Sequence, residues 1–242
     1  MKKFFTVALA IIVAAGCLQA QNKNVRRSTT SVPSSMVNGN VVVDDNVAVA
    51  PKIVKLPLPE MGMEKPFRKT IDGRKTIRRF NEEPLSNELI SSLLWCAYGY
   101  NRPTEQRRTA PSAINAQEYD IYLFTREGVF QYNAKDNTLE HVVKDDCRVK
   151  ISEQKFFSQA PVVVVLVANY DRMTRFTEKA DRDFYAAVDA GYISQNIYLF
   201  CSSADLATVA CGAINRDAIQ KIIGFKNGRA MLAHPVGVPA EK

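Results

Sequence analysis

Pro161-Val-Val-Val-Val-Leu-Val167 is an aliphatic run with no polar residue in it. Successive side chains of a strand point to opposite faces, so a strand apolar at every position needs cover on both sides. The stretch from about Arg182 to Ser203 adds a second demand, because it reads as one long helix. Between Phe184 and Cys201 its only charge is Asp189, so almost the whole circumference is apolar and must be buried. Asp189, Ser194, Gln195 and Asn196 would sit badly in lipid, which argues against a membrane span. A central helix covered partly by a second subunit satisfies both requirements.

The remaining segments supply the layers. Ser86 is placed to cap a helix in which Leu89, Ile90, Leu93, Leu94 and Ala97 recur at helical spacing, with Gly99 as its stop. Glu118–Thr125, Val129–Tyr132 and Thr138–Val143 read as short strands joined by Arg126-Glu-Gly128 and by the 133–137 loop, an antiparallel meander. Thr208–Ile214 reads as a strand or extended turn. Asn215 is placed to cap a short helix to Ile223, and Met231–Val238 reads as a last strand. Helices and strands are mixed without a repeated βαβ unit, which gives an α+β fold with a central, mainly antiparallel sheet flanked by helices.

The N-terminus has its own logic. Met1–Lys3 are basic, Phe4–Val13 apolar, and Ala14-Ala-Gly-Cys17 small, the layout of a secretory signal. The expectation is export to the periplasm or to a bacterial membrane face. Two processing routes are open: lipidation of Cys17 at a lipobox-like site, giving a membrane tether, or cleavage after Ala20. Residues 21–56, rich in Asn, Ser, Thr and Val, are expected to form a disordered spacer rather than an added edge strand. The folded domain is then expected over 57–242.

Several chemistries are not supported. The chain of 242 residues carries 32 Lys and Arg against 25 Asp and Glu, a formal charge of +7. No dense basic stripe is present, so nucleic-acid binding is not expected. His141 and His234 are not at metal-ligand spacing, and neither can be placed as the partner of a serine or cysteine nucleophile. Cys96, Cys147, Cys201 and Cys211 form no Cys-x-x-Cys pair and read as buried thiols. Neither a phosphate-binding P-loop nor a Gly-x-Gly-x-x-Gly turn occurs.

Three constellations remain. Gly73-Arg-Lys-Thr-Ile-Arg-Arg-Phe80 places Arg74, Lys75, Arg78 and Arg79 around Thr76, a set able to clamp a phosphate. If it is extended, Arg74, Thr76 and Arg78 share one side. Arg108-Thr-Ala-Pro111-Ser112-Ala-Ile-Asn115-Ala-Gln117 combines a Pro-Ser turn with an Asn whose amide matches the edge of a pyrimidine-like ring. Asp205-Leu-Ala-Thr-Val-Ala210-Cys211-Gly212 offers small residues and backbone amides to a planar heterocycle. Each has a plain structural alternative: a solvated basic run, a loop into a strand, and a tight helix-to-strand connection.

In this order the three elements resemble the nitroreductase family, together with the segments 70–84, 93–103 and 187–239. The wording Leu-Leu-Trp95-Cys-Ala-Tyr-Gly99 followed by Arg108-Thr-Ala-Pro-Ser is most similar to the branch of azoline-oxidising dehydrogenases. The resemblance covers about residues 55–239. It implies a nitroreductase-like homodimer with FMN at the subunit interface and the long helix buried there. By the same resemblance Arg74, Lys75 and Thr76 would face the FMN phosphate, and Arg78 the N1/O2 side of the ring. Pro111, Ser112 and Asn115 would touch the flavin, and the backbone of Ala210, Cys211 and Gly212 would lie at N5/O4. No residue is expected as a strict catalytic acid.

Two departures from the family pattern stand out. The late Lys-x-Arg pair is missing, so the phosphate is expected to rest on the first cluster with Arg108 helping. The usual Gly-Leu-Gly reads Asp205-Leu-Ala. The function expected is ping-pong hydride transfer from a reduced donor, NAD(P)H being a candidate, to a small nitro, quinone or azoline acceptor. The alternatives are an exported flavin-binding protein without turnover and a partner-binding lipoprotein.

Overall fold

A computed structural model describes residues 52–60 and 65–240. The signal segment, Cys17 and most of the spacer lie outside the described residues. In chain order the strands are β1 Ile53–Lys55, β2 Tyr100–Arg102, β3 Arg107–Arg108, β4 Tyr119–Thr125, β5 Gly128–Asn133, β6 Thr138–Val143, β7 Val162–Asn169, β8 Ala207–Thr208 and β9 Gly228–Gly237. The helices are α1 Phe67–Gly73, α2 Asn87–Tyr98, α3 Phe156–Gln159, α4 Lys179–Ser203 and α5 Arg216–Ile223. Seven strands form one antiparallel sheet in the order β1-β6-β5-β4-β7-β9-β8, and β2 pairs with β3 in a small ribbon.

The aliphatic run becomes β7, flanked by β4 and β9, and its two faces feed separate cores. Val162, Val164, Leu166 and Ala168 join Leu93 and Leu94 of α2 and Ile193 and Ile197 of α4. Val163, Val165 and Val167 join Phe157 of α3 and Ile219 of α5. Burying each such side chain stabilises the fold by about 1.5–3 kcal/mol, an upper figure. This central, doubly covered strand is why the sheet holds a fixed register.

Local signals behave as the residues require. The Ser86 hydroxyl accepts the Leu89 N–H at 3.3 Å and starts α2, while Asn215 accepts the Ala218 N–H at 3.0 Å and starts α5. Gly99 ends α2 without a left-handed turn; a Cβ there would lie 2.4 Å from Trp95 Cδ1, so the close approach of the indole explains the glycine. The four described cysteines are free, and Cys147, Cys201 and Cys211 are buried.

Two differences from sequence patterning are structural. The spacer does not extend to Leu56. Ile53–Lys55 pair with Glu140, Leu139 and Thr138 of β6, and Leu56 is buried, so the last residues assigned to the spacer form an edge strand. Patterning also gives no helix at α1, which is seven residues long, has no side-chain cap and buries only Thr70. Packing against α4 holds it: the Ser202 hydroxyl of that helix donates to the Thr70 carbonyl at 2.7 Å.

Candidate functional site: a cationic strap on the long helix

After α1 the backbone turns extended at Arg74 (φ −63°, ψ 116°) and runs beside the strand that leaves β8. The Ile77 N–H donates to the Thr208 carbonyl at 3.0 Å, and Phe80 bridges Pro239. Ile77 packs on the second core and anchors the strap, leaving Lys75, Thr76, Arg78 and Arg79 exposed. Among the described residues none of Arg74, Lys75, Arg78 and Arg79 is in a salt bridge. Four unpaired cations within six residues form a donor set suited to a phosphate, through the bidentate geometry of Arg and the point charge of Lys.

Tyr198 of α4 ties the strap to the third element. Its hydroxyl lies 3.0 Å from Thr76 Oγ1 and accepts the Ala210 N–H at 2.9 Å, and the Arg74 guanidinium sits 5.2 Å from its ring centre. Behind the ring, at 5.5 Å, lies His234, fully buried in β9. Its Nε2 is 2.9 Å from Ser194 Oγ and its Nδ1 3.3 Å from Thr208 Oγ1. Burial lowers the His234 pKa to about 3, so the imidazole is neutral and joins α4 to the sheet by hydrogen bonds alone. Lys75, Ile77 and Tyr198 also border a cleft of about 280 Å³ with Lys65 and Asp205.

The structure thus brings Arg74, Lys75, Thr76 and Arg78 next to Ala210 and Cys211. Burial pushes the Cys211 thiol up, and the Arg78 charge draws it partly back. The expectation of free backbone amides in this element needs correction at Ala210 and Cys211. The Ala210 N–H is taken by Tyr198, and the Cys211 N–H donates to the Ala233 carbonyl at 2.9 Å. Gly212 is exposed, and a Cβ there would meet only Leu232 Cδ2 at 3.8 Å, so space does not require the glycine. Asp205 takes a left-handed conformation (φ 56°) that glycine adopts freely and Asp tolerates. Lys65 holds its carboxylate at 2.6 Å.

Pro111, Ser112 and Asn115 do not join this cluster within the chain. Their loop sits farther back along α4, where the Ala113 N–H donates to Asp189 Oδ2 at 2.8 Å. Asp189 and Tyr198 are nine residues apart on one helix, about 13 Å along its axis. Arg108 is committed elsewhere. It donates to the Tyr98 carbonyl and to Gln117 Oε1, each at 2.9 Å, and lies 4.5 and 4.2 Å from the ring centres of Tyr98 and Tyr100. Within one chain Arg108 is therefore engaged by Tyr98 and Gln117, and none of these contacts joins it to the strap. No group of three or more His, Cys, Asp or Glu able to hold a metal occurs among the described residues.

Sequence reasoning missed Tyr198, His234 and the buried Glu118. The partners of Tyr198 lie 122 and 12 residues away, so spacing could not reveal its role.

Residues 71–238 match the nitroreductase family. A nitroreductase-family protein of Methanocaldococcus jannaschii is 31% identical over 177 residues, covering 68% of this chain and 86% of the relative. A crystal structure of a nitroreductase-family protein from Ralstonia eutropha superposes with a TM-score of 0.74 at 31% identity, covering 78% of this chain and 90% of that one. The NADPH:FMN oxidoreductase of Vibrio harveyi, solved with NAD+, shares the fold at 18% identity and a TM-score of 0.54, over 72% of this chain and 69% of that one. The chain belongs to the nitroreductase family, and its sheet flanked by helices is the fold of that family.

Proposed function

We propose that this chain is an FMN-dependent oxidoreductase that works as a homodimer, passing hydride from a reduced donor to a small organic acceptor of nitro, quinone or azoline type. The observation that carries the reading is the strap of four cations without acidic partners, held open beside Tyr198 and Cys211. Arg74, Lys75 and Thr76 would hold the phosphate, and Arg78 would stabilise negative charge on the reduced ring. FMN, when bound, supplies the hydride chemistry that the side chains lack. NAD(P)H is the donor proposed, in keeping with the nicotinamide held by the Vibrio protein.

The outer face of α4 supports the dimer reading. Phe184 (62% exposed), Val188 (38%) and Tyr192 (49%) line it, on a helix whose other face is buried. An antiparallel crossing of two such helices near Gly191 and Tyr192 would carry the Asp189-anchored loop of one protomer toward the Tyr198 end of its partner. The two half-sites, separate within one chain, would then face each other. Export, with a tether through Cys17 where that residue is lipidated, completes the proposal.

The test is an absorbance spectrum of the purified protein after FMN addition and desalting. Retained bands near ~370 and ~450 nm, the absorption of oxidised flavin, support the reading. A folded, colourless protein refutes it.

A further inference from the structure

Beneath the Pro111–Gln117 loop lie two carboxyl groups that nothing in the proposed reaction uses. Glu118, where the loop enters β4, is fully buried, and neither carboxylate oxygen has a hydrogen-bond donor among the described residues. Asp189, the lone charge of central α4, is 2% exposed. The two side chains interact directly, and the Asp189 carboxylate also accepts the Ala113 N–H at 2.8 Å. Two buried carboxylates in contact cannot both be ionised; a proton between them satisfies both.

The loop above them is strained. Ile114, Asn115 and Gln117 have φ of 48°, 57° and 49°, a region unusual for any side chain and especially for a β-branched one. Within the loop the Gln117 N–H donates to Ser112 Oγ at 2.9 Å. From outside, Arg172 donates to the Gln117 carbonyl, and Asp189 holds Ala113. Such a conformation persists only where its surroundings over-determine it.

We propose that Glu118 and Asp189 share one proton as a positioning pair, in which protonated Glu118 donates to Asp189 and Asp189 stays charged to hold the Ala113 amide. The shape of the Pro111–Gln117 loop then depends on that proton. Its consequence for flavin rests on the reading above, in which Ser112 and Asn115 touch the ring. The neighbouring groups favour the arrangement. Arg172 is the nearby cation, and it is already paired with Asp120. Tyr98 and Tyr119 are the other titratable groups near the pair, and burial above all keeps both phenols neutral. Burial likewise raises Glu118 to about 8, with the Asp189 charge adding to it, so the pair would lose its proton above that pH.

The experiment compares the wild-type protein with E118Q, whose side-chain amide donates to Asp189 at every pH. Infrared spectroscopy of the flavin-free protein should show a protonated carboxyl band at pH 7 that is lost by about pH 10 and is absent in E118Q. The Ala113 amide nitrogen shift should follow the same titration in the wild type and stay constant in E118Q. FMN affinity should weaken roughly tenfold between pH 7 and 9.5 in the wild type, the effect of one strong hydrogen bond, and stay level in E118Q. Absence of the carboxyl band in the wild type at pH 7, or an Ala113 shift indifferent to pH, overturns the proposal, and neither reading needs the variant to fold. Failure to bind FMN at any pH sinks the flavin reading alone, because the band and the shift still decide the pair.

Discussion

The Tyr198 hydroxyl accepts the Ala210 amide at 2.9 Å, so a residue in the sixth turn of α4 sets where the backbone beyond β8 can lie. The same oxygen meets Thr76, and three segments far apart in the chain are held by one side-chain atom. Tyr198→Phe should leave the ring against His234 and Arg74 but strip both contacts. The expected loss is about 1–2 kcal/mol, because the Ala210 N–H is left without a partner. Urea melts would measure it, and an unchanged midpoint would show that the hydroxyl is idle.

Arg78 is exposed and its charge is felt at Cys211. Arg78→Ala should therefore fold normally, yet bind FMN more weakly or give a flavin that is harder to reduce. A redox titration beside a binding isotherm separates the two effects. Wild-type affinity together with wild-type potential would remove Arg78 from the site.

His234 gives a pH prediction whose sign is fixed by its lowered pKa. The unfolded chain takes up a proton near the ordinary histidine value of about 6.5, whereas the folded protein resists until about pH 3. Its contribution to stability is complete above pH 6.5 and is lost as the pH falls toward 3. Unfolding free energies measured over that range should drop less steeply in His234→Asn, by a few kcal/mol in total. Parallel pH profiles for the two proteins would contradict a buried neutral imidazole.

Val188→Arg places a charge in the exposed apolar face of α4 without touching the core. In sedimentation the wild type should run as a dimer and the variant as a monomer with much weaker FMN retention. A wild type that is monomeric yet fully loaded with flavin would contradict a site shared between subunits.

Glu118 contributes in the opposite pH direction to His234. Its folded pKa is raised to about 8, so the folded state holds a proton that the unfolded chain releases near pH 4.5. The stability tied to that proton is complete below pH 4.5 and is lost as the pH rises through 8. At pH 8.5 E118Q should be more stable than the wild type, by on the order of 1–2 kcal/mol, as read from urea midpoints. Equal midpoints at pH 8.5 would remove this cost.

Much of the framework was legible because its signals are local or saturating. The Pro161–Val167 run could only be a doubly buried strand, and Ser86, Asn215 and the spacing between them and their helices mark real starts. The strap was legible as a cluster of charge. What escaped depends on residues distant in the chain. Val54 is a strand residue because Leu139 lies opposite it, and the short α1 persists because Ser202 meets Thr70. Asp189 was visible as a lone charge in an apolar helix, but its partner Glu118 looked like an ordinary strand entry. Nor could spacing reveal that the Ala210 and Cys211 amides were already committed.

The edge strand β1 has a practical consequence. It occupies the outer hydrogen-bonding side of β6, with the His141 N–H donating to the Lys52 carbonyl and the Leu56 N–H to the Asn137 carbonyl. A protease that clipped the chain at Leu56 would leave that ladder bare, beside the already exposed Val142. An open strand with an apolar flank is a template for other chains. Trimming these few residues would therefore be felt first as precipitation.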